Sequence, residues 1–260
     1  NRKLGTKLLL GVMTVFALNQ NVLAKEVKVD ITVQELELEI DNKGTKQMMW
    51  TFGGTIPGPV VRVKQGDTVN FNLINPKSNK QSHSMDFHAA QVDVLDEFSE
   101  IKPGKSKKYS FEANYPGVFI YHCGASAMSE HIARGMYGVI IVNPKDGYTE
   151  DYPKPDREYV IVEGDLFEAG TKPNDITMGK GWKASLINGK VFHYDPVHDS
   201  DASLALESKP GERVRADPYT HLTLPTGELV EDPAVDITTK NKTKRKKEEG
   251  ARKGRDTGAN

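Results

Sequence analysis

From Val27 onward the chain runs as short stretches in which apolar and polar residues alternate, broken by turn signals, with no long amphipathic helix. This period of two constrains the fold more than any other feature, because neighbouring side chains of a strand face opposite sides. Val27 to Val33 alternates, and Gln34 to Ile40 continues with Leu36, Leu38 and Ile40. Val60 to Val63 and Thr68 to Leu73 flank a Gly66-Asp67 turn, and Tyr109 to Glu112, Gly117 to His122 and Tyr137 to Val142 follow. Gly53-Gly54 and Pro57-Gly58-Pro59 mark further turns. The pattern predicts an all-β antiparallel sandwich or barrel.

A Pro-, Asp- and Lys-rich stretch, Asn143 to Pro155, reads as a linker to a second β unit. There the strand signals are Tyr159 to Gly164, Ala184 to Gly189, Leu204 to Leu206 and Gly211 to Arg215. About sixty residues (roughly 156–216) is marginal for a two-sheet core. Beyond Arg215 only Leu222 to Leu224 hints at a strand, and 217–260 is expected to be an irregular basic tail. Between Lys240 and Asp256 it carries nine Lys or Arg against three Asp or Glu, so the body is mildly acidic although the formal charge is −1. A mildly acidic body argues against a nucleic-acid partner, which needs a basic face.

The first 24 residues read as an export signal: basic Arg2, Lys3 and Lys7, an apolar run from Leu8 to Leu18, and a small-residue cleavage site at Val22-Leu23-Ala24. The run is too short to span a bilayer, and no membrane span is expected once it is removed. A periplasmic or otherwise exported protein is the expectation.

The chain has one cysteine, so no intramolecular disulfide can form. Four of the seven histidines, His83, His88, His122 and His131, lie within 49 residues that also contain Cys123. Cys123, His131 eight residues on and Met136 five further are soft ligands at loop spacing. With His83 as the fourth donor they make two imidazoles, a thiolate and a thioether, the donor set of a mononuclear blue-copper site. Zinc would prefer a set without the thioether. His122 and Cys123 are adjacent in a strand and must point to opposite faces, while Asp86 and His88, two apart, share one. Parity therefore gives two clusters, His83 with Cys123, and Asp86 with His88 and His122, joined by the His122–Cys123 peptide. The second has only two imidazoles where an open site normally has three protein ligands. His193 and His198 are candidates by composition but read better as loop residues, and His221 has no evident partner. Trp50, Met85 and Met128 read as packing.

These segments, with Thr51 to Val63 followed by Gly66-Asp67, and Glu158 to Gly164, resemble the copper-containing nitrite reductases, a two-domain cupredoxin branch of the multicopper oxidases. The resemblance runs from about Lys28 to Arg215. It implies a Greek-key cupredoxin β-sandwich over 27–145, then an incomplete second cupredoxin domain. It also implies that His83, Cys123, His131 and Met136 hold type 1 copper, that His88 and His122 are two of three type 2 ligands, and that Asp86 hydrogen-bonds and protonates nitrite. An electron would enter at type 1 copper from a small cupredoxin or cytochrome c and pass through the Cys123–His122 link. Nitrite would be reduced to nitric oxide at type 2 copper, within a homotrimer whose type 2 sites lie between subunits. The family's third type 2 histidine and second catalytic histidine lie late in the second domain, and nothing after Arg215 resembles that region. The tail is accordingly expected to be an artefact of a gene-fragment end, and the chain as written to bind type 1 copper but turn over little nitrite. The alternatives are a type 1 electron carrier without enzymatic activity, or a laccase-like oxidase. The oxidase lacks its expected His-x-His pairs here.

Overall fold

The computed structural model of the protein describes residues 24–90, 93–150, 153–194 and 206–220. The expected export signal before residue 24, His198, His221 and the Lys-rich run lie outside the described residues.

The first unit comprises β1 (Glu26–Glu39), β2 (Lys46–Phe52), β3 (Val61–Lys64), β4 (Thr68–Asn75), β5 (Asp86–Phe87), α1 (Val94–Glu97), β6 (Lys105–Glu112), β7 (Gly117–His122), α2 (Met128–Ala133) and β8 (Tyr137–Asn143). Its strands form two sheets, ordered β2-β1-β4-β6 and β3-β8-β7-β5. Between them lies a core that includes Val33, Phe52, Phe71, Tyr121 and Ile140. Pairing is not wholly antiparallel as the spacing suggested: β1 runs parallel to β4, and β3 to β8. The strands of each parallel pair are not joined by a hairpin. They meet through Greek-key crossovers, which leave their relative direction free.

The runs 27–33 and 34–40 prove to be one strand with a change of phase. Val27, Val29, Ile31 and Val33 face the first core, whereas Leu38 and Ile40 pack into a second. That second core explains the unbroken apolar run of β8. Its Ile140 and Val142 point into the sandwich, and Tyr137, Val139 and Ile141 point the other way. A strand buried on both faces loses its alternation.

The second unit comprises β9 (Arg157–Phe167), α3 (Pro173–Thr177), β10 (Trp182–Ile187), β11 (Lys190–Val191) and β12 (Val214–Thr220). It is a single sheet in the order β11-β10-β9-β12. Val162, Leu166 and Leu186 pack against Ile120, Val139 and Ile141 of the sandwich. The short unit thus needs no second sheet of its own, because the outer face of β7 and β8 supplies the other layer. Each fully buried Val or Leu there contributes roughly 1.5–3 kcal/mol. Closeness of the layers is visible at Gly189, where a Cβ would lie 2.2 Å from the carbonyl oxygen of Ile56. The strand β12 runs parallel to β9 as far as Thr220, four residues past the expected boundary at Ala216. Among the described residues no helix is long and apolar enough to cross a membrane.

Candidate metal centres

The end of β7 and the loop after it are stapled by backbone hydrogen bonds. Cys123 N–H donates to Met136 O at 3.1 Å, and Met136 N–H to His131 O at 3.1 Å. Three of the expected soft donors are therefore held in one loop by the backbone itself. His83 arrives from a separate segment, fixed by a two-way bridge to Ile101, at 3.1 and 2.7 Å. The result is a buried cluster in which His131 Nδ1 lies 3.3 Å from both Cys123 Sγ and His83 Nδ1. The donor atoms of His83, Cys123 and His131 all fall within 4.8 Å of one another. Met136 is fully buried beside them in the first core.

The surroundings of this cluster are equally specific. Ser84 N–H points at Cys123 Sγ (3.4 Å), and Ser84 Oγ accepts from Gly124 N–H at 3.0 Å. Gly124 has no room for a side chain, since a Cβ would sit 2.2 Å from the Phe98 ring. The edge of Trp50 meets His131, with ring centres 4.8 Å apart, and the Arg134 guanidinium lies over the indole at 4.7 Å. The helix bearing His131, α2, is braced from the second unit: Ser129 Oγ and Thr177 Oγ1 are 2.9 Å apart, and Ala133 packs with Phe167 and Ile176.

Burial decides the protonation states. It pushes the Cys123 thiol up to about 11 against the pull of the Ser84 amide, so the metal-free residue is a thiol. It lowers both imidazoles. His131 falls to about 4, from burial first and then from the charges of His83 and Arg134. Two neutral imidazoles and a thiol that must shed its proton to bind are a soft, low-charge donor set suited to copper.

The second cluster lies across the same peptide bond. Asp86 on β5 pairs directly with His122 on β7, so the two share a face. His88 Nε2 and His122 Nε2 are 3.1 Å apart, and Asp86 Oδ2 lies 3.3 Å from His122 Nε2 and 3.7 Å from His88 Nε2. The other ring nitrogen of His122 lies 3.1 Å from the Cys123 carbonyl oxygen. That leaves Nε2 to face its partners. This cluster is not enclosed: the His88 side chain is 47% exposed, His122 only 6%.

Two carboxyls here were not expected from the sequence. Glu97 of α1 is buried, accepts the Phe87 N–H at 3.0 Å, and hydrogen-bonds Asp86. Burial raises Glu97 to about 7. Burial also pushes Asp86 up, but the His88 hydrogen bond, the charges of His122 and His88, and Glu97 outweigh it and hold Asp86 below the usual range. With Asp86 the ionised partner, burial therefore favours the protonated form of Glu97 below about pH 7. Its sequence signal was weak, an acid among other acids in Asp93 to Glu100. Glu35, beside His83 at 3.2 Å, is the other. His193 stacks on Tyr194, 3.9 Å between ring centres, and belongs to neither cluster.

Comparison with known proteins follows the same outline. Residues 32–147 match the family model described as multicopper oxidase. A copper-containing nitrite reductase of Neisseria gonorrhoeae is 39% identical over 197 residues, 73% of this chain and 48% of that protein. One from Rhizobium meliloti is 35% identical over 183 residues, 68% of this chain and 45% of that protein. Among solved structures, a copper nitrite reductase from Nitrosomonas europaea superposes with a TM-score of 0.70 at 52% identity, covering 75% of this chain and 68% of that one. The chain spans about half the length of the curated relatives it matches.

Proposed function

Because the chain belongs to the copper-containing nitrite reductase family, we propose that it reduces nitrite to nitric oxide with copper at both donor clusters. In this reading His83, Cys123, His131 and Met136 hold a type 1 ion, and His88 and His122 supply two ligands of a type 2 ion. Copper, when bound, supplies the one-electron redox chemistry of NO₂⁻ + 2H⁺ + e⁻ → NO + H₂O.

The observation that carries the reading is the His122–Cys123 peptide. It joins two donor clusters whose side chains lie on opposite faces of one strand end, the shortest covalent link the chain could provide between an electron-accepting site and a substrate site. The chain's other contribution is protonic. Asp86 Oδ2 faces both Nε2 atoms, and once Asp86 takes up the proton of Glu97, one hydrogen bond behind it, its O–H can donate to a small anion bound there. Such a group contributes on the order of 10²–10⁴-fold to a proton-coupled step.

Exposure of His88, with two imidazoles in this cluster among the described residues, supports completion of the type 2 set by another copy, and the family resemblance makes that assembly a homotrimer. The basic-apolar start supports export, and the family resemblance implies a small reduced cupredoxin or cytochrome c as the donor.

The test is nitric oxide release, followed by electrode, from the full-length gene product loaded with copper and given nitrite and a reductant. Release in step with nitrite consumed is expected. A preparation with both ions bound that yields none would overturn the reading. A thiolate-copper band without a second ion would favour the electron-carrier alternative, for which the two-imidazole second cluster is the specific support.

A further inference from the structure

The residues facing inward along β1 are Val27, Val29, Ile31 and Val33, and the next residue of that phase is Glu35. Cross-strand register confirms the face: Val33 pairs with Phe52, and Glu35 with Trp50. A carboxylate on an apolar face carries a large desolvation cost unless it is fully partnered. Glu35 is so partnered. Lys80 N–H lies 3.0 Å from each of its oxygens, Gln81 N–H donates to Oε1 at 2.8 Å, and His83 Nε2 lies 3.2 Å from Oε1. The His83 side chain is wholly buried and that of Glu35 is 9% exposed.

We infer that Glu35 is a positioning residue for the thiolate cluster. It accepts the Nε2–H of His83, so that the lone pair of Nδ1 is turned toward Cys123 and His131 before any metal arrives. The inference deepens the reading above and rests on it for the identity of the metal. Its geometry has two parts. The amides of Lys80 and Gln81 belong to the loop that delivers His83, so one carboxylate fixes both the imidazole and its approach. In the same β1–β2 rung, Trp50 sets its ring edge-on to His83 and His131, 5.8 and 4.8 Å between ring centres. A single rung of the ladder thus supports both imidazoles, His83 by charge and ring packing and His131 by ring packing. A neutral imidazole whose far N–H is held by a carboxylate is locked in one tautomer and is a stronger donor. Such a donor would stabilise the more highly charged oxidised form of a bound copper ion.

The test uses the full-length protein with and without copper. In the metal-free protein, ¹⁵N NMR should show His83 as the Nε2–H tautomer, and Glu35→Ala should mix the tautomers. In the loaded protein, Glu35→Ala should weaken copper binding at the thiolate site about 10–100-fold. Glu35→Gln keeps an acceptor but loses the charge, and should raise the midpoint potential of the thiolate-copper centre. Glu35→Asp should restore part of the difference. If Glu35→Ala does not fold, Glu35→Gln decides alone. An unchanged potential in Glu35→Gln, or an unchanged His83 tautomer in a folded Glu35→Ala, would overturn the inference. A wild-type protein that shows the expected tautomer but no thiolate-copper band would instead overturn the metal assignment and leave the role of Glu35 standing.

Discussion

The two donor clusters share a peptide bond and little else. Around Cys123 every donor comes from one chain, each is buried, and an outer layer of Ser84, Trp50 and Glu35 holds them. Around His122 the donors are one buried imidazole, a half-buried carboxylate and the imidazole of His88, which is half exposed. The first is a closed, buried site. The second is open, as a site must be if a small molecule is to reach it. The difference comes from position on one strand end: Cys123 points between the two sheets, and His122 points out beside the short edge strand β5.

Substitutions can separate the two clusters if the comparison is sound. Cys123→Ser should abolish the thiolate-to-copper absorption completely while a second ion is still detected by EPR. Loss of both signals would mean that the clusters do not bind independently. His88→Ala should do the reverse, keeping the absorption and cutting nitrite turnover by at least ~100-fold. Asp86→Asn should keep both ions and lower turnover by ~10²–10⁴, with the loss visible in the pH-rate profile. An equal loss of copper would assign Asp86 to metal holding instead.

A smaller effect concerns Glu97. Its folded value of about 7 lies above the ordinary carboxyl value of 4.5. The folded state therefore binds more protons between these limits, so its contribution is complete at low pH and is lost as pH rises through 7. Urea melts of metal-free Glu97→Gln at pH 5 and pH 8 should differ less than those of wild type, by up to ~3 kcal/mol. No change in that difference would remove Glu97 as the proton holder beside Asp86. The least effect is expected at Ala127, the N-cap of α2, which sits at φ 60° in the left-handed region. Ala127→Gly should relieve the strain and raise thermal stability by about 1 kcal/mol without moving the thiolate band.

How much could be read beforehand follows from where each contact lies. The donors within one segment, Cys123, His131 and Met136, were visible as spacing, and the opposite facing of His122 and Cys123 as parity. Asp86 and His88 came from the same rule applied to a stretch only two residues of which are strand. Trp50 read as packing and does pack, but on two imidazoles. A sharper reading of β1 would have flagged Glu35, because the apolar phase of 27, 29, 31 and 33 makes position 35 an inward acid. Glu97 offered no comparable signal.

The sequence alone determined an all-β chain and a thiolate cluster back to back with an imidazole pair. Periodicity of two and loop spacing are local properties, and local geometry suffices to read them. Only the tertiary structure decided that the short second sheet completes itself on the outer face of β7 and β8, that α3 braces the helix carrying His131, and that Glu35 reaches a histidine 48 residues away. Those contacts join segments far apart in the chain. They depend on strand register and on which layer covers which, and no short-range pattern encodes either.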